Sequence, residues 1–494
     1  MRHTIIMYNP VSTSAGKQRL PMSLMAVAAM LHDDYDFELI DGNLNRTNPA
    51  EEIIERVKST GSKLLAMTVM PGPQLRQAVP LTKQIKAALP DLTILWGGYF
   101  PSHHYEVCLN SGFVDYVVIG QGEVGFRKFV DTFYNGGSMQ DVPSLAFCED
   151  GQLVLNAKAP VAPLENLPQY PYHKINVENY IGSSYLGNRV LSHHSSWGCP
   201  FACNFCAIVP LAKRRWSAES ADRVGETMRH LKQMYNIDGM EFHDMDFFVK
   251  EDRSAMIAEQ MIGLDINWWA LGRVDTLMTY DDSTYQKLAD SGLKMVFMGA
   301  EAGDDETLKL MNKGGRSSVN QTLAIVERMK KFGIIPELSF VLGTPPDPVA
   351  SIESTIGFIR QVKDLNPATE IILYMYTPVA EFESPLVQEA IAQGFQFPQT
   401  LEQWASDEWA EKSMRRSPGT PWSVDPIRRK VRNFETVINA FYPTVTDLRL
   451  KGAMRSLLKV VSGWRYQLEF YNAPYELKVL QKLIHYRRPE TTGF

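Results

Sequence analysis

The feature that most constrains the fold is an alternation of short apolar runs with amphipathic segments, and it occurs twice along the chain. Between residues 4 and 135 the runs TIIMYNP, FELIDGN, LLAMTVM, TILWGGY and VDYVVIGQGE each end in Gly, Pro or polar residues, as buried parallel strands do. Between them PAEEIIERVKST, QLRQAVPLTKQIKAALP and GFRKFVDTFYNGG repeat apolar residues at intervals of three and four, the helical period. Five such units predict a doubly wound, Rossmann-like α/β domain over residues 1–140. Ligands of such sheets sit beyond the carboxyl ends of the strands, which here means the loops at Asn9, Asp41, Gly42, Met70, Gly97, Gly98 and Gly120. No GxGxxG follows the first strand, so the pattern does not point to a dinucleotide.

A hairpin around Asp150-Gly151 and a proline-rich stretch predict a linker over 141–187. From 188 the alternation resumes in RVLSHHSSWGCP, GMEFHDMDFFV, INWWALGRVD, KMVFMGAEAG, PELSFVLGTPP and EIILYMYTPV. These six units predict a partial, TIM-like (β/α)6 barrel over 188–385, followed by a mainly helical region over 386–494. A length of 494 residues, too great for one ordinary core, agrees with such a partition. A net charge of -6 gives no reason to expect a nucleic-acid partner. No apolar run is long enough to span a bilayer, and MRHTIIMYNP lacks the form of a signal peptide. Five cysteines, an odd number, make a poor disulfide framework, so the reducing cytoplasm is the expected compartment.

Three of those cysteines, Cys199, Cys203 and Cys206, share one short turn at the predicted C-terminal end of the first barrel strand, the edge where βα-barrel chemistry collects. Thiolates are soft ligands suited to zinc or to iron–sulfur clusters. A structural zinc site needs a fourth ligand; there is no second CxxC pair, and Cys108 and Cys148 lie outside the predicted barrel, so His193 or His194 would have to complete it. A cubane cluster held by three thiolates instead leaves one iron open to a chelating ligand.

The CxxxCxΦC pattern, with Phe205 before its last cysteine, resembles the signature of radical S-adenosylmethionine (SAM) enzymes. WGGYFPSHHYEVCLNSGFVDYVVIGQGE resembles the cobalamin-binding domain of their B12-dependent subgroup. The resemblance implies a [4Fe-4S] cluster on Cys199, Cys203 and Cys206, SAM on its open iron, and Phe205 against the adenine. It also implies cobalamin on the first domain near Asn9, Asp41, Gly42, Met70, Gly97, Gly98, Gly120 and Glu123. The DxHxxG motif that places a histidine on cobalt is absent, and His103 and His104 stand in another context, so base-off cobalamin without a histidine ligand is implied. GAEAGDDETLKLMNKG is similar to the family's G-x-E-S-G and M-x-K-G segments, with Ala302 for the usual Ser, and puts Glu301 near SAM. The same resemblance implies that GRVD places Arg273 near the SAM carboxylate and that HDMDFF, similar to the family's D-D-x-F strand end, turns Asp244 and Asp246 toward the site. Each of these also reads as an ordinary polar strand end, and Arg273 as the partner of Asp275 or Asp246 in an ion pair.

Domain order and the GAEAG segment look most like the branch containing the anaerobic magnesium-protoporphyrin ester cyclase and hopanoid-modifying enzymes. The resemblance implies reductive cleavage of SAM to a 5'-deoxyadenosyl radical, hydrogen abstraction from an unactivated carbon and methyl transfer from methylcobalamin, with a flavodoxin- or ferredoxin-type electron donor. Oxidative cyclisation or hydroxylation with the same cofactors is the second expectation, and a non-catalytic cobalamin and iron–sulfur redox sensor the third. Trp268, Trp269, Tyr374, Met375 and Tyr376 on barrel strands suggest an apolar small-molecule substrate, although such residues also fill cores. From residue 447 onward nine Lys and Arg face four Asp and Glu, with Leu, Trp and Tyr at helical spacing. That tail reads either as a peripheral membrane contact or as a helix docked on the barrel.

Overall fold

The computed structural model describes residues 2–31, 34–312, 317–378, 383–412 and 420–486. The Lys313-Gly314 end of the GAEAG segment therefore lies outside the described residues. The first alternation folds into a sheet whose parallel strands are β1 (Thr4–Asn9), β2 (Asp36–Asp41), β3 (Leu64–Thr68), β4 (Thr93–Gly97) and β5 (Tyr116–Val118), in the order β2-β1-β3-β4-β5. Helices cover both faces, which is why β1 and β3 are apolar at consecutive positions. Ile6 and Tyr8 pack toward Ile53, Leu75, Ala78 and Ile85 on one face, and Ile5 and Met7 toward Leu24, Ala28 and Phe126 on the other. The hairpin expected in the linker is present as β6 (Leu145–Glu149) and β7 (Gln152–Leu155), but it pairs antiparallel with β5 and extends the sheet to seven strands.

The second alternation forms another seven-stranded sheet. Its edge strand β8 (Gly182–Ser184) runs antiparallel to β9 (Gly187–His193). A separate two-stranded ribbon, β10 (Ser196–Gly198) with β11 (Trp216–Ala218), follows. Parallel strands β12 (Gly239–Phe242), β13 (Asn267–Arg273), β14 (Leu293–Glu301), β15 (Ile335–Leu342) and β16 (Glu370–Met375) then complete the order β8-β9-β12-β13-β14-β15-β16. β8 and β16 do not pair with each other, so the six parallel strands make an open partial barrel and not a closed ring. The intervening helices start where polar side chains can satisfy their first N–H groups: Ser220 caps Ala221–Tyr235, and Ser318 with Gln321 forms a capping box on Val319–Lys331.

Side-chain parity then separates core from interior. Trp268, Ala270, Val296, Met298, Leu338, Phe340, Ile371, Leu373 and Met375 belong to the core between sheet and helices. Trp269, Leu271, Phe297, Val341 and Tyr374 alternate with them and stay partly exposed on the concave side. Of the residues suggested as an apolar substrate wall, Trp268 and Met375 are thus core, and Tyr376 packs in a separate cluster with Leu386 and Phe395.

The C-terminal region ties the two sheets together. Leu401 and Trp404 join the core of the first sheet, Trp404 lying 4.4 Å from the His104 ring. Farther on, helix Asp425–Phe441 contributes Phe434, Val437 and Ile438 to the core of the second.

Trp268 is fully buried and its indole packs on Phe242, Phe247 and Phe248. Trp268→Ala should lower stability by about 3–5 kcal/mol, the usual cost of deleting a large core aromatic, as read from denaturant unfolding followed by circular dichroism.

Candidate functional site

The cysteine turn is held from three directions. The ribbon of β10 and β11 closes its base, and Gly198 at that closure has φ +85° with its Cα against Arg215 O, where a Cβ would lie 2.2 Å from the carbonyl. Within the turn Cys206 N donates to Cys203 O at 3.2 Å. The end of helix Asp305–Leu310 supports the outer side: Asn204 N donates to Met311 O at 2.9 Å and its Nδ2 to Leu310 O at 2.8 Å, while Asn312 Nδ2 reaches Ala202 O at 3.3 Å. The Met311-Asn312 part of the GAEAG segment therefore has a mechanical task, that of buttressing the thiol loop.

Arg273, at the end of β13, donates from Nη1 to Cys203 Sγ at 3.2 Å. Its Nε and Nη2 grip Asp275 at 3.0 and 2.8 Å, and its guanidinium lies 3.8 Å from the Phe201 ring centre. The pair expected for Arg273 is thus with Asp275. Burial pushes the Cys199 thiol up to about 12 and the Cys206 thiol up to about 11, so both are protonated until a metal draws the proton off. Glu301 ends β14 on a bulge, in the left-handed region at φ +68°, buried and close enough for its charge to act on Cys206. Phe205 packs toward Tyr376, Leu386 and Phe395.

The two aspartates of HDMDFF differ sharply. Asp244 accepts hydrogen bonds from Ser195 N and Oγ, at 3.2 and 2.9 Å, and from Ser196 Oγ. It locks the chain between β9 and β10. Asp246 is 1% exposed and neither of its carboxylate oxygens has a partner in full hydrogen-bond geometry, although the Phe248 backbone N–H is close enough to favour its charged form. Burial raises its pKa to about 7 against the pull of Arg273. A buried unpartnered carboxylate beside Cys199 and Arg273 fits a cationic group of an incoming ligand, and SAM carries an ammonium and a sulfonium.

The thiols fit a cluster better than one zinc ion. Among the described residues no three Cys, His, Asp or Glu side chains converge on one point. His193, fully buried, has Nδ1 3.0 Å from Tyr172 OH and Nε2 3.3 Å from Glu219, so neither nitrogen is open to a metal. A cubane distributes its thiolates over separate irons and needs no such convergence.

On the first domain Asn9, Asp41, Gly42, Met70, Gly97, Gly98 and Gly120 all lie at or just beyond carboxyl ends of parallel strands. Asn9 Nδ2 donates to Asp41 Oδ1 at 3.0 Å, Gln74 Nε2 to Asn9 Oδ1 at 3.1 Å, and Asn43 from both nitrogens to Asp41 Oδ1 at 2.9 Å. These side chains fix the loops to one another. Met70 is exposed, its N–H bonded to Gln74 Oε1 at 2.8 Å. Gly98 has φ +95°, and a Cβ there would stand 2.8 Å from Thr68 Oγ1, so the backbone after β4 stays bare, as a cradle for a large cofactor requires. Glu123 stands in the first turn of helix Gly122–Asn135, just beyond the carboxyl end of β5; it is buried, burial raising its pKa while hydrogen bonds from the helix start favour its charged form.

The two domains meet through these same edges. Arg19, in the loop after β1, reaches β12 and pairs with Glu241 at 3.0 Å. The short helix Tyr99–His103 after β4 packs on helix Ile208–Ala212 after the cysteines, and Tyr99 stands near Cys206. Sequence reasoning missed a polar floor in the concave interior. His243 Nε2 and Glu241 Oε2 are 2.9 Å apart, the His243 ring is 5.2 Å from Trp269, and Trp269 Nε1 donates to Glu337 Oε2 at 2.8 Å. The signal was an acidic residue inside otherwise apolar strands, GMEF and PELSF.

The comparisons with known proteins agree with this geometry. Residues 8–130 match the B12 binding domain family and residues 195–359 the radical SAM superfamily, so the chain belongs to the B12-binding radical SAM superfamily. An uncharacterized methyltransferase of Pyrococcus horikoshii is 26% identical over 348 residues, 69% of this chain and 73% of that protein. The anaerobic magnesium-protoporphyrin IX monomethyl ester cyclase of Synechocystis sp. is 24% identical over 327 residues, 64% of each chain. Among solved structures, apo OxsB, a cobalamin-dependent SAM radical enzyme, aligns at TM-score 0.70 and 16% identity over 98% of this chain and 75% of its own. TsrM from Kitasatospora setae, a radical SAM methyltransferase solved with cobalamin and a [4Fe-4S] cluster, aligns at 0.64 and 17% over 80% and 78%. Methyltransferases stand beside the cyclase among these relatives, so the chain's place is in the superfamily and not in the cyclase and hopanoid branch in particular.

Burial opposes the charge of Glu241, but the His243 hydrogen bond and Arg19 outweigh it and bring the carboxyl to about 2, against an ordinary 4.5. Its contribution to stability is full above pH 4.5 and is lost as pH falls toward 2. Arg19→Met should cost about 1 kcal/mol at pH 7, Arg19 being partly solvated, and should flatten the acid limb of a stability-versus-pH titration.

Proposed function

We propose that this protein is a B12-dependent radical SAM methyltransferase acting on an unactivated carbon of an amphipathic small molecule. The observation that carries the reading is the meeting of two edges: the cysteine turn, with the unpartnered Asp246 and the Arg273–Asp275 pair beside it, lies across from the glycine-bearing strand ends of the B12-binding domain.

When bound, the cluster and SAM would supply a carbon-centred radical that abstracts hydrogen, and cobalamin would supply the methyl group. The chain's own residues bind and orient. Cys199, Cys203 and Cys206 would hold the cluster, and Arg273, kept charged and aimed by Asp275 and Phe201, would meet the SAM carboxylate. Asp246 would accept its cationic side, and Glu301, forced inward by the bulge, would take a nearby N–H or O–H donor. The substrate would then occupy the concave interior, its apolar body against Trp269, Phe297 and Tyr374 and its polar end toward Glu241, His243 and Glu337. This adds a polar end to the apolar small molecule expected from the sequence. A second reading, radical cyclisation or hydroxylation without methyl transfer, draws support from the cyclase among the relatives.

The test is anaerobic. The protein reconstituted with iron, sulfide and hydroxocobalamin, then given SAM and a strong reductant, should form 5'-deoxyadenosine and S-adenosylhomocysteine together; 5'-deoxyadenosine alone would favour the second reading, and neither product would defeat both. Replacing Cys199, Cys203 and Cys206 together by Ala should abolish bound iron, sulfide and SAM cleavage while the first domain still retains cobalamin. Iron and sulfide retained at wild-type stoichiometry would refute the ligand assignment.

A further inference from the structure

Helix Gly452–Gln467 is apolar on two faces. Leu458, Ser462 and Tyr466 are buried toward helix Asp425–Phe441, with the Phe441 and Tyr466 rings stacked at 4.4 Å. That face satisfies the docked-tail reading. The other carries Leu457, Val460, Trp464 and Leu468, spaced three, four and four and exposed by 47%, 77%, 47% and 73%. Phe470, stacked on Trp464 at 5.8 Å, prolongs this stripe beyond the helix. The next helix, Tyr475–Leu483, packs beside it and exposes Tyr475, Val479 and Leu483 at intervals of four, each by 57% or more. Two exposed apolar stripes on neighbouring, packed helices are far from the scattered single residues of an ordinary surface.

From this we propose that the outer face of these two helices docks on an anionic lipid surface. Charge decides the occupant. Between Leu448 and Leu468 there are five Lys and Arg and no Asp or Glu, in a chain whose net charge is -6; Arg465 is buried on Glu476 and Arg449 pairs with Asp447, while Lys451 and Lys459 are exposed. Lys451 at the start of the first helix and Lys478 and Lys482 beside the Tyr475–Val479–Leu483 stripe are exposed. Apolar side chains flanked by cations, with a Trp and a Tyr among them, match the acyl boundary and headgroup layer of an anionic membrane lying in the plane of the helices. A second copy of the chain matches less well, because a two-fold contact would set each lysine cluster against its own copy. The face is independent of the catalytic reading, and an amphipathic substrate would be met at such a surface.

The full chain should co-sediment with vesicles of equal parts phosphatidylglycerol and phosphatidylcholine, less with phosphatidylcholine alone, and less as salt rises. Val460→Asp with Leu468→Asp, both on the open face, should weaken vesicle binding about tenfold or more while circular dichroism and cobalamin retention stay at wild type. Lys478→Glu with Lys482→Glu should also weaken it and leaves the apolar stripe intact. Absence of wild-type binding to the anionic vesicles, or undiminished binding by both double variants, would overturn the proposal. So would a wild-type dimer that the Asp variant converts to monomer, which would assign the face to a second copy.

Discussion

Ligand loops of parallel strands gather at the carboxyl ends, and this chain turns the carboxyl ends of the parallel strands of two mixed sheets toward each other. Nearly everything else follows from holding that apposition. Arg19 crosses from the first domain to Glu241 on the second, helix Tyr99–His103 rests on the helix that follows the cysteines, and the C-terminal segment around Trp404 returns to the first sheet. The interface also has an apolar part, since Leu20, Met22 and Met25 of the first domain are buried in the same core as the second sheet.

How much of this was legible in the sequence depended on whether the relevant interaction was local. The strands were legible because burial on both faces writes itself as an unbroken apolar run, and the cysteine turn because its spacing is local. The pairing of the Leu145–Leu155 hairpin with β5 was not, since a hairpin signal fixes the turn and says nothing of the third strand beside it. Trp268 and Trp269 show the same boundary: adjacent aromatics on one strand must point to opposite sides, but which points inward is set by register with β12 and β14.

Asp244 and Asp246 mark the limit most clearly. Both stand in one motif and both are buried, yet Asp244 is consumed by Ser195 and Ser196, which precede the thiol turn, whereas Asp246 has no donor in full hydrogen-bond geometry. Their difference rests on contacts with a segment some fifty positions upstream, which no local pattern records. Arg19 was overlooked for the same reason, its partner lying on a strand of the other domain.

The unfavourable terms of this fold gather around the cysteine turn. A buried carboxylate without a partner and a non-glycine residue in left-handed backbone on a bulge each cost free energy. Ordinary core packing surrounds them, with Phe247, Phe248 and Trp268 fully buried behind the strand ends. Unfavourable terms confined to one small region, and supported by a well-packed frame, are what a site looks like when its binding energy is to come from groups that arrive with their own charge. Asp246 asks for a cation and Arg273, though already gripped by Asp275, still directs an N–H at the thiol loop; a zwitterion bound between them would satisfy both signs at once.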